Sequence, residues 1–131
     1  MGAKRVLFLD DRSKRVHAAF KKYAPPDYDL TCVFTVRECI KKLSNEGPWD
    51  VVSLDHDLNF EEFVDSNRED CGMEVVRWLL NYSIHILEAL RNLDLAEFII
   101  HTSNRAAGLE MEIKLLDRGF TDVRYERFTY D

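Results

Sequence analysis

One apolar run in this chain closes on Asp10-Asp11 and another on Asp55-His56-Asp57. A third, Phe98-Ile99-Ile100, leads into His101-Thr102-Ser103-Asn104. Apolar stretches ending in ionisable groups are how an open α/β sheet presents chemistry, because its ligands bind beyond the carboxyl ends of the strands. Carboxylates gathered there repel one another. A pair about 4 Å apart does so by roughly 1 kcal/mol in water and about 4 kcal/mol at an effective dielectric of 20. Some must then hold protons or share a cation. Oxygen ligands with open positions suit Mg²⁺ or Mn²⁺. Asp10, Asp11, Asp55 and Asp57 are therefore the candidate metal ligands, with Asp10 or Asp11 plus Asp55 the first choice. The alternative for Asp10-Asp11 is decoration of a helix start, where acids are favoured.

His56 and His101 titrate near neutrality, so two of them across a phosphate can serve as general base and general acid. The competing reading of each is a satisfied structural histidine. Asp55 is also a candidate covalent nucleophile. Thr102, Ser103 and Asn104 can donate to phosphate oxygens, aided by backbone N–H groups at a helix start, although Asn104 also suits a plain cap. Arg12 and Arg105 directly follow two of the clusters and can clamp a phosphate. His17 and His85 fall in helical patterns and read as ordinary residues.

These residues need strands to hold them. Lys4 to Leu9 is the first predicted strand, nearly continuously apolar, as a strand buried on both faces should be. Ser13 is read as N-cap of a helix to Tyr23 that buries Val16, Ala19, Phe20 and Tyr23. A strand over 28–34 follows, then a helix from the Thr35 cap to Asn45, with Glu38 completing a capping box. The third strand spans 50–54. Residues 58–70 form an acidic, aperiodic loop, read either as a lid or as a solvated connection. A helix is expected over 72–81, a further helical segment over 83–92, and a strand over 97–101. Asn104 then caps a helix over 105–118 with Leu109, Ile113 and Leu116 inward and Gly119 at its C-terminal end. A last strand covers 122–128. Strands alternating with helices imply a parallel sheet with right-handed crossovers. The expected fold is flavodoxin-like, doubly wound and five-stranded, in order 2-1-3-4-5, as one domain over 1–131.

Net charge of −6 argues against duplex-DNA binding, which needs a basic face. It leaves room for a small phosphorylated ligand or an RNA end held by a metal and arginines. Three cysteines without Cys-x-x-Cys spacing give neither a disulfide framework nor a zinc knuckle, and fit a reducing cytosol. Met1-Gly2-Ala3-Lys4-Arg5 leads straight into a strand, so no secretory signal is expected. No apolar run approaches the roughly 18 residues of a membrane span. A cytoplasmic protein follows, with any protein partner open.

At Asp10-Asp11, at Asp55 after Val-Val-Ser-Leu, and at Thr102 after Phe-Ile-Ile-His, the chain resembles response-regulator receiver domains. That resemblance implies Mg²⁺ on the acid pair, a phosphoacceptor at Asp55 and a sensing hydroxyl at Thr102. Receivers also carry a Lys at the end of strand 5, where this chain has Val123-Arg124-Tyr125-Glu126-Arg127, and a fifth helix that is missing here. Leu-Asp-Asp-Arg (9–12), Leu-Asp-His-Asp-Leu (54–58), Gly72, His101 through Asn104, Gly108 and Met111 are closer still to the cyclic-phosphate processing receiver domains. The two histidines select that family. It implies a metal-dependent phosphoesterase acting on a cyclic nucleotide or a 2′,3′-cyclic phosphate end. The alternative is a non-catalytic signalling or phosphate-binding module with Asp55 as phosphoacceptor. The Asp-x-Asp of 55–57 is also similar to Toprim enzymes, which pair it with a Glu after the first strand.

Overall fold

Strand parity determines what this fold can do. The computed structural model describes residues 2–81 and 93–127. Five strands run in parallel: β1 (Lys4–Leu9), β2 (Tyr28–Val33), β3 (Val51–Leu54), β4 (Glu97–Ile100) and β5 (Val123–Tyr125). Their order is β2-β1-β3-β4-β5, as the sequence reading has it. Among the described residues four helices connect them: α1 (Ser13–Lys22), α2 (Val36–Asn45), α3 (Gly72–Asn81) and α4 (Arg105–Arg118). A 3₁₀ turn at Leu93–Leu95 precedes β4. Among the described residues no helix follows β5.

Side chains alternate across a strand, so each strand feeds two cores. Val6, Phe8, Val51 and Ile99 pack with Ala19 of α1 and with Tyr23 just after it. Leu7, Leu9, Val52, Leu54, Phe98 and Ile100 pack with α2, α3 and α4 in the larger core. Register fixes which residues share a face. Phe8 is opposite Ser53, and Ser53 is opposite Ile99. Two residues further along, the same parity aligns Asp10, Asp55 and His101 on the α1 face. Leu9, Leu54 and Ile100 lead instead to Asp11, His56 and Thr102.

Most local signals behave as the sequence predicts. Thr35 Oγ1 accepts the Glu38 N–H at 3.1 Å, while the Glu38 carboxylate accepts the Phe34 N–H at 3.3 Å. Gly119 ends α4 at φ 114°, a left-handed conformation that favours glycine. Two helical faces are corrected. Ser13 is the first residue of α1 rather than its cap, and the buried side of α1 is Arg15–Ala19, continuing into Tyr23, with Phe20 exposed. In α4 the inward residues are Ala107, Gly108, Met111 and Leu115, whereas Ile113 and Leu116 face solvent. The 83–92 segment and Phe128 lie outside the described residues.

Gly72 has a specific structural reason. A Cβ there would lie 1.8 Å from the Asp55 carbonyl oxygen, and its N–H donates to the His56 carbonyl at 2.9 Å. The start of α3 sits directly on the end of β3, a distance only glycine allows. The 58–70 loop is tied down. Asp57 accepts the N–H groups of Phe63 (2.8 Å) and Val64 (3.2 Å), and Arg77 donates to the carbonyls of Ser66 and Arg68. Asn59, Phe60 and Phe63 in this loop adopt positive φ.

Candidate active site

Asp10, Asp55 and His101 form one buried group. Each offers a ligand atom, and these atoms lie within 4.8 Å of one another. Asp10 accepts from three sides: the Arg12 N–H at 2.9 Å, His101 Nε2–H at 3.0 Å and the Arg15 guanidinium at 3.4 Å. Burial alone would raise its pKa, but the hydrogen bond and charge of His101, the Arg12 N–H and the Arg15 charge hold it below the ordinary carboxylate value. Asp55 is pushed the other way, up to about 8, by burial and by the Asp10 charge, against Arg15. The two neighbouring acids are thus shifted in opposite directions, Asp10 towards the ionised form and Asp55 towards the protonated one.

An ionised carboxylate can only accept, so His101 Nε2 bears the proton and Nδ1 is the acceptor. Burial lowers the pKa of His101 against the pull of Asp10, which keeps the ring neutral. Ser53 Oγ lies 2.6 Å from Nδ1 and donates to it. The ring is fixed in plane by stacking on Phe8, with centroids 4.4 Å apart. The result is a chain from hydroxyl to imidazole to carboxylate, the arrangement that activates a hydroxyl or relays a proton from one.

Arg15, 4% exposed, is the cation of this site. Its Nη1 faces Asp55 at 3.2 Å as well as Asp10, and its Nη2 donates to Ser103 Oγ at 3.0 Å. Sequence reasoning missed both Arg15 and Ser53. The available signals were the period-4 face shared with Ala19 and Tyr23, and the odd-residue parity Val51-Ser53-Asp55.

His56 and Asp57 belong elsewhere, so four acids do not converge and the two histidines do not flank one phosphate. His56 is fully buried on the opposite face, with Nδ1 at 2.6 Å from Asp57 and Nε2 at 2.9 Å from Ser66 Oγ. Burial would lower its pKa, but Cys71 and Asp57 outweigh this and raise it. Asp57 also accepts from Asn104 Nδ2 at 3.1 Å, and burial is overcome by these bonds so that its pKa falls. Asn104 caps α4 through the Ala107 N–H, and Thr102 Oγ1 accepts the Asn104 N–H. Ser103 reaches the site through Arg15. Arg12 contributes its N–H, while its guanidinium meets the Glu61 carbonyl at 3.4 Å. Arg105 is exposed at the start of α4. Asp11 is half-buried, with Oδ2 accepting the Asn59 N–H.

Two buried carboxylate oxygens, Asp11 Oδ1 and Asp55 Oδ2, accept no hydrogen bond among the described residues, and Asp55 Oδ2 is paired with Arg15 by charge alone at 3.2 Å. Among the described residues the group close enough to share a cation is Asp10, Asp55 and His101, and its two carboxylates have the oxygen chemistry of a hard-cation site.

The model of the cyclic-phosphate processing receiver domain matches residues 5–117. The chain belongs to that family. Its fold is shared with solved receivers at low identity. One is the CheY-like receiver domain protein of Methanospirillum hungatei JF-1, with TM-score 0.63, 18% identity, and 98% of this chain and 86% of that one covered. A Francisella response-regulator receiver domain gives TM-score 0.59 at 20% identity, covering 97% and 87%. A Burkholderia pseudomallei response regulator gives TM-score 0.62 at 13% identity, covering 97% and 62%. That structure is described as containing a phosphorylated aspartic acid, a calcium ion and citrate. No curated protein matches. No helix among the described residues is long and apolar enough to cross a membrane.

Proposed function

We propose that this domain opens a cyclic phosphodiester, of a nucleotide or a 2′,3′-cyclic RNA end, by hydrolysis dependent on a divalent cation. The observation that carries the reading is the Ser53–His101–Asp10 chain beside the buried carboxylate of Asp55. Mg²⁺ or Mn²⁺ bound by Asp10, Asp11 and Asp55 would offset the charge of the phosphate. Ser53 takes a proton from the attacking water and passes its own to His101 Nδ1, giving an imidazolium that Asp10 stabilises. The water oxygen forms the new P–O bond as the ring P–O bond breaks. The departing alkoxide recovers the proton, leaving a phosphomonoester and a neutral His101. Arg15, fixed on Ser103, holds charge of the opposite sign to the phosphate in the same pocket. His56 and Asp57 act at one remove, by fixing the loop and Asn104.

A signalling reading has one observation in its favour, the position of Asp55 at the end of β3 in a receiver fold. Against it, Asp55 is fully buried against Arg15, and the residues after β5 are Glu126 and Arg127. ³¹P NMR with 2′,3′- and 3′,5′-cyclic nucleotides, in Mg²⁺ and then in EDTA, separates the two. Loss of a cyclic resonance only with metal supports hydrolysis. Unchanged substrate, with an acyl-phosphate on Asp55 after acetyl phosphate treatment, supports signalling.

A further inference from the structure

Between the start of α2 and the loop leading into α3 lies a cavity of about 460 Å³. That is within the roughly 300–1,000 Å³ of small-molecule sites. Its lining, among the described residues, falls between Phe34 and Glu74. Phe34, Ile40 and Leu58 make part of it apolar. Of these, Phe34 offers a ligand the most surface, since its side chain packs into neither core and the residue is 48% exposed. Glu69, Asp70 and Glu74 line it too, and Arg37 is the one cation among the described lining residues.

Two contacts join this cavity to the strand-end acids. The Asp10 N–H donates to the Val33 carbonyl at 3.2 Å, so β2 ends beside the acids, and Phe34 is the next residue. Asn59 lines the cavity, its N–H donates to the Asp11 carboxylate, and its side chain donates to Asp70 at 2.8 Å. Asn59 and Phe60 hold left-handed backbone, at φ 62° and 61°, which residues other than glycine rarely adopt. The turn that sets Asn59 against Asp11 is thus kept at a conformational cost, as such turns are at ligand sites.

The lining also sorts the ligand by chemistry. Carboxylates repel a phosphate but accept hydrogen bonds from hydroxyl and amino groups. An exposed phenyl ring gives a flat ring a face to stack on. A nucleoside brings a flat base, sugar hydroxyls and no charge of its own. We propose that this cavity holds the nucleoside of the substrate, with its base against Phe34, while its phosphate stands at the strand-end acids and their cation. This rests on the hydrolytic reading and narrows it to substrates that carry a base. Phe34 is then a specificity residue with no part in the proton relay.

The test is calorimetric titration of the full chain in Mg²⁺ with adenosine 5′-monophosphate and with ribose 5-phosphate, which lacks only the base. Wild type should bind the nucleotide about fivefold or more tightly than the sugar phosphate, as one stacked base allows. Phe34→Ala should bring that ratio close to one without weakening the sugar phosphate. Its backbone N–H, which donates to Glu38, is unaffected by the change. Phe34→Trp should restore the ratio, and Phe20→Ala, an exposed phenylalanine on α1, should leave it alone. A wild-type ratio of one, a preference that survives Phe34→Ala, or no saturable binding of either ligand would each overturn the proposal. Neither ligand has a phosphate ring to open, so the ratio is independent of turnover. A base preference lost with Phe34 in a protein that opens no cyclic phosphate would sink the hydrolytic reading and leave the nucleoside site standing.

Discussion

His101 Nε2 and Asp10 Oδ2 are 3.0 Å apart across 91 residues of sequence. The contact joins the ends of two strands that are not themselves neighbours, since β3 runs between them. It fixes the tautomer of His101 and turns its basic nitrogen towards Ser53. Burial of His101 lowers its pKa, so in the acid range the unfolded chain binds a proton that the folded one does not. Stability is therefore lost as pH falls through the ordinary histidine value. His101→Gln should flatten the decline in melting temperature between about pH 7 and pH 5. An unchanged slope would mean that His101 charges freely in the fold.

Asp55 has the opposite sign. Its carboxyl is raised to about 8, so between its unfolded value of 3.8 and that pH the native state holds the extra proton. Stability falls as pH rises through this window. Asp55→Asn should raise the melting temperature at pH 8 by roughly 4 °C for each kcal/mol gained, with little gain at pH 4. A loss at pH 8 in EDTA would show that the acid is held ionised.

Arg15 bridges Asp10 and Asp55 while less than a tenth exposed. Removing one partner of a buried pair costs about 3–5 kcal/mol. Arg15→Ala should be destabilised to that extent in urea, and millimolar Mg²⁺ should recover more of the loss than it adds to wild type. A neutral effect would mean that the acids do not need their cation.

Gly72→Ala places a methyl against the Asp55 carbonyl. The start of α3 must then move, at a cost of about 2–3 kcal/mol. The measurement is the urea midpoint. A shift corresponding to less than about 0.5 kcal/mol would show that the helix start can slide.

Much of this was legible in the sequence, for reasons particular residues make clear. Thr35 with Glu38 and Gly119 are signals whose chemistry is local, and they set helix ends where expected. Asp10, Asp55 and His101 were legible because each terminates an apolar strand. Their separation from His56 was legible in principle too, since Asp55 and His56 are adjacent and must point to opposite faces of β3. Reading both histidines into one site ignored that parity. The faces of α1 and α4 were not legible from hydrophobicity alone. One of the two buried positions in α1 is an arginine, held by acids from two strands, and small residues line the inner face of α4, where Gly108 packs on Tyr125. Those choices depend on tertiary partners, and periodicity does not carry them.

The most direct test of the central claim is turnover of 2′,3′-cyclic AMP with Mg²⁺, followed by ³¹P NMR for wild type, Ser53→Ala and His101→Gln. General acid–base groups typically contribute about 10²–10⁴-fold. The account predicts a loss in that range for His101→Gln, a smaller loss for Ser53→Ala, and Mg²⁺ affinity within a few-fold of wild type for Ser53→Ala. Wild-type turnover in both variants would contradict the proton relay, and the function proposed from it.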